Sequence, residues 1–285
     1  MTTERGVLYV ATGQKYMEET ILSARSLRTH MPDIPVVLHT DLPDQAPKDL
    51  FQDVRLIPQP THSFQDKIAP LLDSPFRKTI FLDTDTFIAS SFSDVFDLLD
   101  RFDIAAAHAP MRTDAPFATP NVFAELNTGV IAYRMNAEVK ACFRLWETLY
   151  KEQLARQGRV GHDQPGFRQA LWESDIRFYV LPSEYNLRTV MPGCAGKQRV
   201  RIIHGRAKNL QKLADAVNGT RDIRVFLPDW RWADIDHLRV LSLTGNFWHR
   251  LIRLPLLCAS HAEKHLGRAK SRMLDTLRRF RGSRG

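Results

Sequence analysis

Apolar positions along the chain fall into two alternating patterns, short solid runs and longer stretches of helical period. The run GVLYVAT (6–12) is short and continuous enough for a buried strand, and YMEETILSARSLRTH (16–30) follows with Met17, Ile21, Ala24 and Leu27 along one side of a helix. IPVVLHTD (34–41) reads as a second strand, giving a β-α-β opening. DVRLIPQ (53–59) and KTIFLDTD (78–85) continue as short apolar strands. In SSFSDVFDLLDRF (90–102) serines precede a helical pattern and predict a capped helix, after which FDIAAAHA (102–109) returns to strand. NTGVIAYR (127–134) is a further strand, and Asn136 is placed to cap an amphipathic helix carrying Val139, Phe143, Trp146, Tyr150 and Leu154 on one stripe. IRFYVLP, RVRIIHG and IRVFLP supply later strands. Short strands alternating with helices of this length predict a doubly wound, mainly parallel α/β sheet.

Composition adds a boundary to this picture. The chain has 285 residues, 44% hydrophobic and 25% charged, ordinary for one large α/β domain with an appendage. Its net charge of +8 is unevenly spread: residues 246–285 hold ten Lys/Arg against two acids, which leaves the rest formally neutral. Two units are therefore expected, a domain over 1–245 and a basic tail over 246–285. In the tail, Leu266, Met273, Leu277 and Phe280 share a helical stripe, with Arg268, Lys270, Arg272, Arg278 and Arg279 on the rest. Such a basic amphipathic helix suits an anionic membrane surface, each basic group contributing about 1 kcal/mol; the alternative is a helix docked on the body with a solvated basic face. A neutral body with no zinc-finger or RNA-recognition signature argues against nucleic acid as a partner. LIRLPLLCAS, broken by Arg253 and Pro255, falls short of the roughly 20 residues of a spanning helix. Cys142, Cys194 and Cys258 show no CxxC spacing, and no apolar leader precedes the first strand, so a cytoplasmic protein is expected, peripheral on the inner face of the membrane.

The most informative chemistry lies at Asp83 and Asp85, two carboxylates one residue apart at the end of an apolar strand. Ligands of open α/β sheets gather at the carboxyl ends of strands. Paired carboxylates there repel each other unless a cation neutralises them, and a hard divalent ion does so while leaving positions for phosphate oxygens. A DxD arises about once by chance in a chain of this length, and a second copy, Asp234-Ile235-Asp236, has no apolar strand leading into it. Context singles out the first.

The run KIAPLLDSPFRKTIFLDTDTFIASSFSDVFDLL (67–99) resembles the centre of GT-A-fold nucleotide-diphospho-sugar glycosyltransferases and is most similar to the family 8 pattern. NTGVIAYR, HDQPGFRQAL, LPSEYN and IIHG match further motifs of that pattern in the same order. The resemblance implies a GT-A, Rossmann-like sheet with flanking helices, and transfer of a sugar from a nucleoside-diphosphate donor, of UDP type, to a glycan or lipid-linked glycan with retention of configuration. It implies Mn²⁺ or Mg²⁺ held by Asp83, Asp85 and His204. Donor contacts would come from Lys67, Asp83, Thr84, Asp85, Asn127, Gly129 and Gly205, with Asp163 and Gln164 at the reacting carbon; where the family carries an acidic residue at the end of the first strand this chain has Ala11-Thr12-Gly13, and Thr12 and Tyr16 are the hydroxyl and ring offered to the donor instead. Asp163 also reads as a helix cap, since Gly161 precedes it. An inverting enzyme would need a carboxylate base, for which Asp163, Glu125 and Glu184 are candidates. Beyond Gly205, Arg206 and Lys208 are possible diphosphate contacts.

Two other classes compete. A haloacid-dehalogenase-type phosphatase also uses a strand ending in DxD, but wants Thr or Val where this chain has Phe87. A non-catalytic membrane-associated binding protein would need no metal.

Overall fold

A computed structural model describes residues 3–109, 117–158, 161–228 and 238–242. The tail over 246–285, with the expected boundary before it, and the second DxD lie outside the described residues, as does most of the loop before Thr119. In chain order the first half comprises β1 (Thr3–Ala11), α1 (Gln14–His30), β2 (Val36–Thr40), β3 (Asp53–Leu56), α2 (Gln65–Leu72), β4 (Phe76–Leu82), β5 (Thr86–Ile88), α3 (Val95–Leu98), β6 (Ile104–His108) and β7 (Leu126–Arg134). The second half follows with α4 (Ala137–Gln157), α5 (Gln164–Glu173), β8 (Phe178–Leu181), β9 (Leu187–Arg188), β10 (Gly193–Ala195), β11 (Ile202–His204), α6 (Leu210–Asn218), β12 (Arg224–Pro228) and β13 (Leu238–Ser242).

Seven strands form the central sheet in the order β3-β2-β1-β4-β7-β6-β8. The β3-β2-β1-β4 half is parallel; β7 runs antiparallel between β4 and β6, and β8 is again parallel to β6. The chain is thus mixed α/β with a mostly parallel sheet flanked by helices. The strand at its heart explains why the sequence reads as solid apolar runs: Val7, Tyr9 and Ala11 of β1 pack with Met17, Ala24 and Leu27 of α1, whereas Leu8 and Val10 face α2, α4 and α5. A strand covered on both faces needs no polar alternation.

Helix α4 is fixed by the side chains its pattern announced. The Asn136 side chain accepts from the Val139 amide at 2.8 Å, and Gly158 ends the helix in a left-handed conformation at φ 69°. Its stripe meets α5 where Trp146 packs against Phe167, their tilted rings 4.7 Å apart between centroids, and within α4 Phe143 lies edge-on to Trp146 at 5.9 Å. Trp146 also donates its indole N–H to the Asp163 carbonyl at 3.0 Å, so the packed face of α4 sets where α5 begins.

The expected serine-capped helix after Ser90 shrinks to the four residues of α3. Ser91 and Ser93 bond to each other and to the local backbone, holding a turn where a cap was expected. Among the described residues no helix is long and apolar enough to cross a membrane.

Candidate active site

β1 and β4 are parallel neighbours that end on the same edge of the sheet, and the chain reverses direction at Asp83-Thr84-Asp85. It returns as β5, which pairs antiparallel with β11 so that Thr86 stands opposite His204. Strand pairing therefore brings the end of β11 over the two aspartates. His204 Nε2 lies 3.4 Å from Asp85 Oδ1 and 3.8 Å from Asp83 Oδ2. One ligand atom from each of the three residues can be chosen so that all lie within 4.8 Å of one another.

The backbone beneath is made to measure. The Asp83 amide donates to the Gly129 carbonyl at 2.8 Å, and the Gly205 amide donates to the Asp85 carbonyl at 2.9 Å. A Cβ on Gly129 would stand 2.0 Å from His204 Cε1 and 2.8 Å from Asp83 Oδ2. Gly205 has φ +130°, and a Cβ there would meet Thr189 Oγ1 at 2.1 Å. Both glycines serve by what they lack.

A chain of amides decides which nitrogen of His204 faces the aspartates. The Gly129 N–H can only donate, and it donates to Asn127 Oδ1 at 3.1 Å. Asn127 Oδ1 also receives Asn186 Nδ2 at 2.8 Å, which turns Asn186 Oδ1 toward His204 Nδ1, 2.8 Å away. Nδ1 must then carry a proton, and Nε2 is the ring nitrogen left facing the two carboxylates. Two carboxylates brought this close repel each other and suit a cation. Two carboxylates with one imidazole could hold a metal ion. Burial pushes Asp83 above the ordinary carboxylate value despite Lys67 and His204 nearby. Burial also acts on Asp85, but the His204 hydrogen bond and the charges of His204 and Arg206 outweigh it and hold Asp85 well below that value.

Lys67 lies inside α2. Its buried ammonium sits 2.9 Å from Asp163 Oδ2 and 3.5 Å from Asp83 Oδ1, and donates to the carbonyl and hydroxyl of Thr128 at 3.3 and 3.2 Å. Burial opposes its charge, yet Asp163 and Asp83 together raise its pKa above the ordinary lysine value. Asp163 starts α5 but does not cap it with its side chain; it accepts from Thr128 Oγ1 at 3.0 Å and pairs with Lys67. Asn127 Nδ2 donates to Gln164 Oε1, and Gln164 Nε2 donates to Glu125 Oε1 at 2.9 Å. The amide network thus runs unbroken from His204 to the head of α5.

These groups border one cleft of about 340 Å³. Thr12, Tyr16, Lys67, Asp83, Thr84, Asp85, Asn127, Asp163, Gln164 and His204 all line it, with Gly129 and Gly205 in the backbone below. Of the three candidate bases, Asp163 lines the cleft; Glu125 lies buried behind Gln164, and Glu184 is buried holding the Gly196 amide at 2.7 Å. At the rim, Arg206 makes a two-point pair with Glu19 at 2.6 and 2.9 Å and stands 3.4 Å from Asp85 Oδ2, while Thr84 donates to Glu19 at 3.0 Å. Thr12 donates to Asp66 at 2.9 Å, so its hydroxyl hydrogen is already committed.

Among the members of the site that escaped the sequence reading as site residues are Glu19, Asp66, Asn186 and Arg188. Asn186 ends the quoted LPSEYN motif, but only the fold puts it behind His204. Arg188 stands opposite His204 in the parallel pairing of β9 with β11 and lines the cleft.

No known protein family matches the sequence, and no curated protein matches it. Among solved structures, the chain is similar to the crystal structure of the glycosyltransferase GlyE of Streptococcus pneumoniae TIGR4, with TM-score 0.49 and 15% identity over 76% of this chain. The likeness spans 60% of the length of that protein.

Proposed function

We propose that the chain is a metal-dependent glycosyltransferase of the GT-A type, moving a sugar from a nucleoside-diphosphate donor to a hydroxyl of a glycan or lipid-linked glycan. The observation that carries this reading is the convergence of Asp83, Asp85 and the Nε2 face of His204 on the cleft between the ends of β1 and β4. A divalent ion bound by these three would act as a Lewis acid on the diphosphate. The chain's own groups do the rest. Asp163 and Gln164, at the start of α5, border the space a donor sugar would occupy and can bond its hydroxyls, Asp163 being oriented by Lys67 and Thr128. Asn127 faces the same space and is held by three hydrogen bonds, so its position costs little ordering when substrate arrives. Tyr16, 42% exposed at the start of α1, offers a ring edge to the base.

In the transfer, the electron pair of the anomeric C–O bond leaves with the diphosphate oxygen. The acceptor oxygen forms the new bond to that carbon, and its proton passes to the departing diphosphate. The cleft carboxylate nearest the sugar, Asp163, is tied to Lys67, which suits a retaining reaction in which no free base is needed. The tail over 246–285, outside the described residues, is our candidate for contact with an anionic membrane.

The test is a panel of nucleotide sugars with Mn²⁺ or Mg²⁺, following release of free nucleotide by the wild-type protein and by Asp85→Ala. Metal-dependent turnover with at least one donor, reduced by about 10²-fold or more in the variant, is expected. Equal rates in the two proteins would contradict the assignment.

A further inference from the structure

We propose that Arg188 is the cation that grips the donor diphosphate, a role resting on the reading above and given to this residue by its position beside the metal-binding group. Register comes first. Leu187 pairs with Ile203 and Arg188 with His204 in the parallel β9-β11 ladder. Leu187 and Ile203 both enter one apolar cluster, so Arg188 and His204 share the opposite face, which is the cleft face.

The second argument is what its guanidinium does. The other well-placed arginines are stitched to main-chain carbonyls: Arg28 donates to Leu50, Pro32 and Ile34; Arg168 to Phe123 and Pro120; Arg224 to Thr220, Asp222 and Gln198. Among the described residues Arg188 is held by no such bond. Its Nε is buried without an acceptor, and among the described residues its side chain makes no ion pair. Burial disfavours its charge, with Asp85 and Asp83 only partly compensating. Arg134 and Arg224 also leave Nε without an acceptor, but their other guanidinium nitrogens bond to Asp103 and to main-chain carbonyls; of the three, Arg188 lines the cleft, and an orphan there points to a ligand acceptor.

Charge pairing agrees. Lys67 is matched by Asp163, and Arg206 by Glu19. A divalent ion would match Asp83 and Asp85. Arg188 is then the remaining cation of the cleft wall among the described residues. A diphosphate gains negative charge as its bond to the sugar breaks, so a planar, multi-donor cation next to the ion would bind it more tightly in the transition state than in the ground state.

The experiment uses the full chain and measures, by calorimetry, binding of Mn²⁺ alone and of inorganic pyrophosphate and UDP in the presence of Mn²⁺, for wild type, Arg188→Gln and Arg188→Lys. Removing a positive charge beside the carboxylates leaves Mn²⁺ binding unchanged or tighter, while pyrophosphate and UDP weaken by about 10- to 100-fold. Lysine, a point charge without the fork, recovers part of that loss. A merely structural arginine predicts the opposite, parallel losses for Mn²⁺ and pyrophosphate, and that result would overturn the proposal. Wild-type affinity for pyrophosphate in both variants would overturn it too, leaving the transferase reading intact. If the wild type itself binds no pyrophosphate with Mn²⁺, the transferase reading falls and this inference with it.

Discussion

Replacing Gly129 by alanine is the smallest change that should separate the metal site from the fold. The added Cβ would lie 2.0 Å from His204 Cε1 and 2.8 Å from Asp83 Oδ2. Ordinary contact begins near 3.4 Å, so the imidazole must retreat by about 1.4 Å, whereas metal–ligand distances tolerate about 0.2 Å. The backbone offers no relief, because Gly129 is clamped through its carbonyl to the Asp83 amide and through its N–H to Asn127. Gly→Ala in a strand otherwise stabilises by about 0.4–1 kcal/mol, against about 1–3 kcal/mol for overpacking; the clash wins. Loss of about 1–2 kcal/mol in denaturant unfolding and a Mn²⁺ Kd raised by at least ~100-fold are therefore expected. The double variant Gly129→Ala/His204→Ala should regain most of the stability without regaining metal, because the collision partner is gone. Mn²⁺ electron paramagnetic resonance and urea melts read both quantities. Wild-type metal affinity in Gly129→Ala, or additive losses in the double variant, would refute the argument.

Asn186→Leu should weaken Mn²⁺ binding by about 10- to 100-fold, because His204 Nδ1 loses the acceptor that fixes its tautomer; ¹⁵N resonances of the ring should shift from a single Nδ1–H form to a mixture, and an unchanged spectrum would count against the amide chain. Buried His39, whose Nε2 has no hydrogen-bond partner among the described residues, has its pKa lowered from the ordinary 6.5 to about 4, chiefly by burial. Its folded value lies below its unfolded one, so the stabilisation is complete above about pH 6.5, falls as the pH drops toward 4 and levels off below. The loss is about 3 kcal/mol. His39→Leu should flatten that part of a pH-stability curve measured by urea melts, and an unaltered slope would show that other groups carry it.

What could be read in the sequence was local. β1, β4 and α4 announce themselves because a doubly covered strand must be apolar throughout and a packed helix must repeat every three to four residues; Asn136 caps three residues ahead, within reach of any local reading. The reversed direction of β7 has no such signature, since NTGVIAYR is equally apolar whichever way it runs and only pairing with β4 and β6 decides. Asp83 and Asp85 stood out as charges at the end of a core strand. Lys67 did not show its situation: a lysine in a helix pattern reads as solvated, yet two carboxylates and Thr128 hold it in the interior. Asn186 and Arg188 lay further out of reach, because their meaning comes from a two-residue strand, β9, whose pairing with β11 joins residues sixteen positions apart.

The account rests on a dication held by Asp83, Asp85 and His204 with a diphosphate beside it. Crystals soaked in Mn²⁺ and UDP, with diffraction collected at the manganese edge, test this without any assay of activity. The expected result is a single anomalous peak about 2.0–2.3 Å from a carboxylate oxygen of each aspartate and from His204 Nε2, with phosphate oxygens completing its shell. An empty position there, with Asp83 closed onto Lys67 and Asp85 onto Arg206, would contradict it.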